Sequence, residues 1–485
     1  MPSNPLTDLS PRSRVVRRQP REHSPEPKRR AACGQILKEL CYPRVSVLVG
    51  RLRQTSGWVR FVLLTAATTA GVLAGELTSP EQQALLTIDA TTAEAEALLE
   101  TLVNINSGTL NIAGVRQIAD ILRPQFEALG FTVRWNSMDQ VQRAGTLIAE
   151  RQGTHGRKVL LIGHMDTVFE PASSFQKFVR KGNIAEGPGT SDMKGGLVIM
   201  LYALKALNAA GALDGANISV VLTGDEERPG DPLSVARRDL IEAGKRNQVA
   251  LEFEGGSRNE SGREFATIAR RSASMWTLRV QGEEGHSSAI FSDRMGSGAI
   301  FEISRILDAF QSKLKEPDLT FNVGLVLGGS RVDYDEANVN GKAAGKSNII
   351  PPVAIAHGDI RTISDEQLQR VREKMRQIVN EHLPRTKAEI TFVDEYPSMP
   401  PTEGNRAILK VLNGVNRDLN LESMEALPPS KRGAGDISFV APYLDGLSGL
   451  GAVGAGAHAL GETVDLTRQP IQTKRAALLI YRLTR

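Results

Sequence analysis

The chain reads as an α/β protein in which a mostly parallel sheet carries helices and a smaller βαββαβ unit of ferredoxin-like order is inserted. Three observations predict this. Short apolar runs at residues 159–162, 220–223 and 249–253 alternate with helical stretches, the mark of a parallel sheet. The rhythm changes near Ser272, where runs follow in the order strand, helix, strand, strand, helix, strand. After Pro401 the earlier alternation resumes up to Arg485, as expected if the last part of the chain completes the first unit.

Taken in order, Ala95, Leu98, Leu99, Leu102 and Val103, then Val115, Ile118 and Leu122, recur at helical spacing, and Gly130 supplies a stop. Strands are expected at 131–135, 146–150 and 159–162, a helix at 197–207, and strands at 219–223 and 249–253. The inserted unit is predicted as strand 275–280, helix 297–314, strands 319–327 and 354–360, helix 366–379 and strand 388–393. The expected divisions are a leader over 1–57, a signal segment over 58–75, a main domain over 76–270 and 397–485, and an inserted domain over 271–396.

The leader is rich in Arg, Pro and Ser, without a sustained apolar period, which reads as disorder. Arg60 then precedes a 14-residue apolar and small stretch, 61–74, too short for a comfortable membrane span of about 20 residues. With small residues ending at Ala74, it resembles a secretory signal peptide, predicting a periplasmic or secreted protein; a retained signal anchor is the alternative. So long a preamble places the expected start of translation downstream of Met1, near Val59.

The formal charge of +4 and pI near 9.0 suggest a nucleic-acid partner, but the distribution of charge argues against one. Residues 1–75 hold 13 of the 59 Lys and Arg and 4 of the 55 Asp and Glu, so the remainder is mildly acidic, 46 basic against 51 acidic. No basic face for phosphate contacts is apparent. The two cysteines, Cys33 and Cys41, both fall in the leader. Thiolate metal sites, cysteine nucleophiles and disulfides are therefore excluded from the body, where any metal must be held by His, Asp and Glu.

Five blocks carry chemistry. The 159–162 run ends in His164 and Asp166, which an extended backbone points to the same side, where a carboxylate can orient a ligating imidazole. Asp192 stands in a glycine-rich loop just before a helix, either as an N-cap or as a ligand. Strand 219–223 runs into Asp225, Glu226 and Glu227, adjacent carboxylates that repel unless a cation or protons compensate them. Strand 250–253 runs into Glu254, and His458 sits in a loop almost free of side chains. Parallel strands bring their carboxyl ends to one sheet edge, so acids and imidazoles distant in sequence can form one cage.

The blocks GHMDTV, GPGTSDMKGG, TGDEE, LEFEGG and GAHALGE, in this order and spacing, resemble the co-catalytic zinc aminoacylase and carboxypeptidase family. Glutamate carboxypeptidase, acetylornithine deacetylase and succinyl-diaminopimelate desuccinylase are among its members. The likeness runs from about Thr91 to Arg485. It implies two Zn²⁺, with Co²⁺ or Mn²⁺ as alternatives: His164 and Glu254 on one ion, Glu227 and His458 on the other, and Asp192 bridging them. Asp166 would orient His164, and Glu226 would be the general base on a metal-bridging water. The bond between Asp192 and Met193 would be strained, in the cis form. The inserted domain, 271–396, would be the family's lid and dimerisation domain; from it His286 would stabilise the oxyanion in a neighbouring subunit's site, while Asn348 and Arg361 would bind substrate, Arg361 clamping a carboxylate. The lid would also join two copies in a homodimer.

The resemblance thus implies an exported dizinc exopeptidase that hydrolyses an amide beside a free α-carboxylate, on a small peptide substrate. An N-acyl-amino-acid deacylase or dipeptidase would use the same site. Two segments depart from the family's pattern: 394–400 lacks the expected basic residue, and Gly433-Ala-Gly-Asp436 replaces the usual Gly-Gly-Thr-Asp. Both lie near expected substrate contacts, which leaves the side-chain preference open.

Overall fold

The computed structural model describes residues 77–485; the leader, the signal segment and both cysteines lie outside the described residues. The first helix, Ser79–Ala90, starts at a capping box in which Thr78 and Glu81 satisfy each other's backbone donors, with Pro80 in the first turn. Helices Thr92–Val103 and Ile112–Ala128 follow, the latter capped by Asn111. Leu99, Leu102, Val103, Val115, Ile118 and Leu122 are all buried in one apolar cluster, as their spacing requires. Glu81 also accepts from Arg482 at 2.7 Å, tying the first helix to the last, Gln469–Leu483.

The main sheet has six strands, in the order Thr132–Met138, Arg143–Arg151, Ala216–Thr223, His155–His164, Val249–Glu252 and Asp445–Leu447. The last four pair in parallel, and the register sets His164 opposite Thr223 and Ile162 opposite Glu252. The first two strands are antiparallel, to each other and to the third. Only a short turn, Asp139–Val141, connects them, and so short a link permits a hairpin but no crossover.

The run 159–162 is apolar throughout because both faces are covered. Val159 and Leu161 pack into the cluster under helix Lys194–Ala209. Leu160 and Ile162 face the opposite way, onto Leu240, Ala243, Ile437 and Val440. Each of the four is fully buried, and each contributes about 1.5–3 kcal/mol by leaving water. Gly196 and Gly451 let the helix start and a late loop close on the end of the Val249–Glu252 strand: a Cβ on either would lie 2.0 Å from the Phe253 carbonyl oxygen.

The second sheet is antiparallel, in the order Thr386–Tyr396, Ala273–Gly282, Val353–Arg361, with Thr320–Phe321 and Leu325–Gly329 on the free side of the last. Helices Ala299–Lys313 and Asp365–Asn380 share its own core, around Trp276, Leu278, Phe310, Val371 and Met375. The single strand expected over 319–327 is thus two pieces. Phe321 pairs with Ile360 and Leu325 with His357, so one extra residue on this side makes a bulge. A hairpin of Arg331–Asp335 and Asn340–Ala344 was not anticipated. Its strands are polar and largely exposed, so no apolar alternation marks them. Its turn is held by Asp335, which accepts from the Ala337 and Asn338 amides at 3.1 and 3.2 Å.

Arg237 joins distant parts of the chain beneath the end of strand Ala216–Thr223. Wholly buried, it donates to Asp225 at 2.8 Å and to Asp436 at 2.7 Å, and reaches the Tyr396 hydroxyl at 3.1 Å. Thr223 donates to the other Asp436 oxygen at 2.6 Å. Replacing Arg237 with Met leaves two buried carboxylates without their counter-ion. Urea denaturation of that variant should show a loss of about 3–5 kcal/mol in unfolding free energy. A loss below about 1 kcal/mol, the range of exposed pairs, would mean that the network does not hold these segments together.

Candidate metal centre

Six of the sequence-predicted residues converge at the carboxyl edge of the parallel strands. His164 ends its strand almost wholly buried, with Nε2 lying 3.2 Å from both Asp192 Oδ1 and Glu254 Oε1. The second Asp192 oxygen lies 3.2 Å from His458 Nε2, which is also 3.0 Å from Glu227 Oε2. Asp192 therefore stands between two imidazoles, each with a further carboxylate beside it. Glu226 is the sixth member: ligand atoms of His164, Glu226 and Glu227 fall within 4.8 Å of one another.

Each of these side chains is aimed by its surroundings. Asp166 sits behind His164, with its Oδ1 3.3 Å and its carbonyl oxygen 3.1 Å from His164 Nδ1. The same carboxylate accepts from Thr109 Oγ1 at 2.6 Å and from the Glu226 and Glu227 amides at 3.1 Å each, which pins the acidic turn from below. From the other side the Tyr396 hydroxyl donates to the Glu226 carbonyl at 2.6 Å. With its backbone fixed at both ends, Glu226 presents its carboxyl to the cluster.

Asp192 is not an N-cap: helix Lys194–Ala209 begins with Met193 at the cap position and no side-chain cap hydrogen bond. Its loop is organised instead by Glu462. That buried carboxylate accepts from the amides of Gly189, Ser191 and Asp192 at 3.0, 2.7 and 2.9 Å, and from Ser191 Oγ at 3.0 Å. The bond between Asp192 and Met193 is cis. His458 lies on the exposed rim at φ 64°, a left-handed conformation in the glycine-rich loop that carries it to the cluster.

The electrostatics follow from crowding. Burial opposes protonation of His164, yet Asp166, Asp192 and Glu254 hold its imidazole well above the ordinary histidine range. Asp192 and Glu227 push His458 up to about 11. Burial would raise Asp192, but the two imidazoles hold it below the ordinary carboxylate range. Burial drives Glu227 up to about 7 and raises Glu226 well above its ordinary value, neighbouring carboxylates adding to the effect. Glu227 Oε1 is buried without a hydrogen-bond partner among the described residues. An orphaned carboxylate oxygen in a set made only of carboxylates and imidazoles fits divalent cations.

The remaining expected residues are not brought to the cluster by their own chain. His286 is exposed and its Nδ1 hydrogen-bonds Ser288 Oγ at 2.8 Å. It pairs with Ile349 across a two-residue ladder, which sets it beside Asn348, whose carbonyl accepts from the Ser287 amide at 2.9 Å. Arg361 ends its strand half-buried and pairs with Asp359 at 3.0 Å.

Sequence reasoning missed several residues that shape the site. Glu462 stood in one of the quoted blocks without a role. Asp225 was grouped with the other two acids, whereas it turns away to Arg237. Arg270, nearly wholly buried, lies 2.9 Å from Glu252 and 3.6 Å from Glu254. No local pattern marks Arg270, whose partners lie on another strand.

Residues 160–482 match the family described as Peptidase family M20/M25/M40. Carboxypeptidase G2 of Pseudomonas sp. (strain RS-16) is 27% identical over 393 residues, covering 79% of this chain and 88% of that protein. A succinyl-diaminopimelate desuccinylase of Marinobacter nauticus is 22% identical over 383 residues, covering 76% and 92% of the two chains. Two solved structures share the fold. An aminopeptidase from Bacillus cereus has a TM-score of 0.64 at 17% identity, covering 81% of this chain and 99% of that one. An M20 family metallo-carboxypeptidase from Sulfolobus solfataricus has a TM-score of 0.58 at 17% identity, covering 80% and 99%. The match takes in the parallel strands of the main sheet from residue 160 onward and every member of the acidic cluster, and the chain belongs to peptidase family M20/M25/M40.

Proposed function

We propose that the chain is an exported dizinc exopeptidase of carboxypeptidase type, which hydrolyses the amide beside a free α-carboxylate. One observation carries this reading: the Asp192 carboxylate lies between two imidazoles, each accompanied by its own glutamate. His164 and Glu254 would hold one cation, His458 and Glu227 the other, with Asp192 giving one oxygen to each. Two such ions supply Lewis-acid polarisation of the scissile carbonyl and a lowered pKa for the attacking water.

The chain's own groups do the rest. Glu226, fixed through Asp166 and Tyr396 and not assigned to a cation, takes the water's proton and passes it to the departing amine. Asp166 holds the His164 ring and its tautomer. His286, exposed and bonded to Ser288 beside it, is available to a second copy of the chain, which supports a homodimer through the second sheet. Likeness to carboxypeptidase G2 supports release of a C-terminal residue. The desuccinylase relatives favour a second reading, deacylation of N-acyl amino acids at the same centre.

Zinc-loaded protein incubated with α- and γ-linked peptides and N-acyl amino acids, with products read by mass spectrometry, should release C-terminal residues. Release from N-acyl amino acids alone would establish the second reading, and no release from either would sink both. Glu226→Gln should lower kcat by about 10²–10⁴-fold while keeping its metal content; undiminished turnover would overturn the mechanism. Asp192→Asn should lose both ions by elemental analysis, whereas Asp166→Asn should weaken metal affinity by about 10–100-fold without abolishing binding.

Metal binding should release protons, because the cation-free cluster keeps His164 and His458 protonated at neutral pH and Glu227 titrates at about 7. Since these groups have raised pKa values, lowering the pH strengthens the protons' hold, so zinc affinity should fall as pH drops through 7. Calorimetry in buffers of different ionisation enthalpy measures the release. Affinity independent of pH between 6 and 8 would contradict the assignment.

A further inference from the structure

A cavity of about 850 Å³ lies outside the metal centre and has no part in the mechanism. That volume is within the range of small-molecule sites, roughly 300–1,000 Å³. Part of its lining comes from the hairpin of Ser257–Arg258 and Glu264–Ala266, which begins three residues after Glu254. The hairpin's turn is held by Asn259, whose Oδ1 accepts from the Arg263 amide at 2.9 Å and from Ser261 Oγ at 2.8 Å. The rest comes from the segment 420–423, just after helix Glu403–Asp418, and from Arg468 and Arg475, at the cap and in the second turn of the last helix.

Four guanidinium groups, of Arg258, Arg263, Arg468 and Arg475, line this space against two carboxylates, Glu264 and Glu422. The buried Glu264 is shared. Arg468 donates through Nε and Nη2 to its Oε1 at 2.9 and 2.5 Å, and Arg475 donates through Nη1 to its Oε2. Arg475 is itself almost wholly buried, with Nε donating to Asn416 at 2.7 Å. Two cations therefore meet one anion, and this trio keeps one positive charge in excess. Burial lowers Arg475 from the ordinary arginine value, and repulsion from Arg468 adds to the effect. Nη1 of Arg468 and Nη2 of Arg475 have no partner among the described residues. Asp465 and Glu425, outside the lining, pair with Arg258 at 3.4 Å and with Arg263 at 2.9 Å, but exposed pairs of this kind hold weakly. Glu422 stands at the exposed rim.

We propose that this cavity binds a small oxyanion ligand, one bearing a phosphate or carboxylate group, on the spare donors of Arg468 and Arg475 with Arg258 beside them. The planar fork of a guanidinium matches the oxygens of either group, and a charge-assisted bond is stronger where water is partly excluded. None of the lining residues belongs to the metal centre, so the site stands independently of the reaction proposed there.

Calorimetric titration of zinc-loaded protein with inorganic phosphate and, separately, with glutarate, at constant ionic strength set by chloride, tests the proposal. One oxyanion should bind per chain. Because a dizinc centre also attracts oxyanions, each titration is repeated on protein stripped of zinc by a chelator, where binding to the cavity should persist. Arg468→Gln should weaken it by roughly 10- to 100-fold, with zinc content unchanged. Arg468→Lys should keep part of the affinity. Arg258→Gln, on the exposed hairpin, should shift affinity in the same direction and serves if Arg468→Gln fails to fold. Tighter binding of phosphate assigns a phosphorylated ligand, and tighter binding of glutarate a carboxylate. No binding of either probe, binding that disappears with zinc, or equal affinity in all folded variants would leave an adventitious ion only and overturn the proposal.

Discussion

Buried negative charge gathered at one edge of the sheet is the constraint on which the rest of the structure depends. Parallel pairing brings His164, Thr223 and Glu252 to a common edge, and the chain continues from there into Asp166, the 225–227 turn and Glu254. So many carboxylates in a poorly hydrated place are tolerated only with counter-charges. The structure divides them into two sets. Asp225, Asp436 and Glu252 are met by the fixed guanidinium groups of Arg237 and Arg270. Asp192 and Glu227 face imidazoles, and Glu254 faces His164 with Arg270 3.6 Å behind it, a set that fits exchangeable cations and makes this the candidate reactive half.

Precision in the reactive half comes from a surrounding layer of backbone hydrogen bonds. Asp166 serves two purposes, backing His164 and accepting from the amides of both glutamates in the turn, so the position of Glu226 is tied to that of His164 on the neighbouring strand. Glu462 does the same for Asp192, gathering three amide donors of its loop, Gly189, Ser191 and Asp192, from across the chain. Tyr396, at the end of the second sheet's last strand, links Arg237 to the Glu226 carbonyl. Stability and site geometry therefore share residues: the network that compensates buried charge also fixes the backbone of Glu226.

The inserted sheet behaves differently. Its core, around Trp276 and Phe310, is separate from that of the main sheet, and its functional candidates stay within it. His286 and Asn348 meet across one short ladder, and Arg361 closes on its neighbour Asp359. Among the described residues, the hydrogen bonds of His286 and the ion pair of Arg361 are made with neighbours in the same part of the fold.

Much of this was legible in sequence. Apolar runs buried on both faces marked the parallel strands, helical spacing marked Leu99 to Leu122, and residue types at strand ends, together with a family resemblance, singled out the six members of the cluster. These signals are local, and periodicity and chain order carry them. Pairing between charges far apart in sequence is a property of the packed chain. Asp225, Glu226 and Glu227 are indistinguishable acids in a row, yet a guanidinium twelve residues on claims the first, while the others turn to the cluster. Asp192 could have capped its helix; Glu462, 270 residues away, holds its loop so that it bridges two imidazoles instead. Arg270 carries no sequence mark, because burial and the presence of a partner arise only on packing. Residue type and strand order limit which chemistry can assemble at the sheet edge. Folding decides which acid meets a fixed cation and which is left for a metal, because electrostatic energy depends on distance and burial, and neither exists before the strands pack.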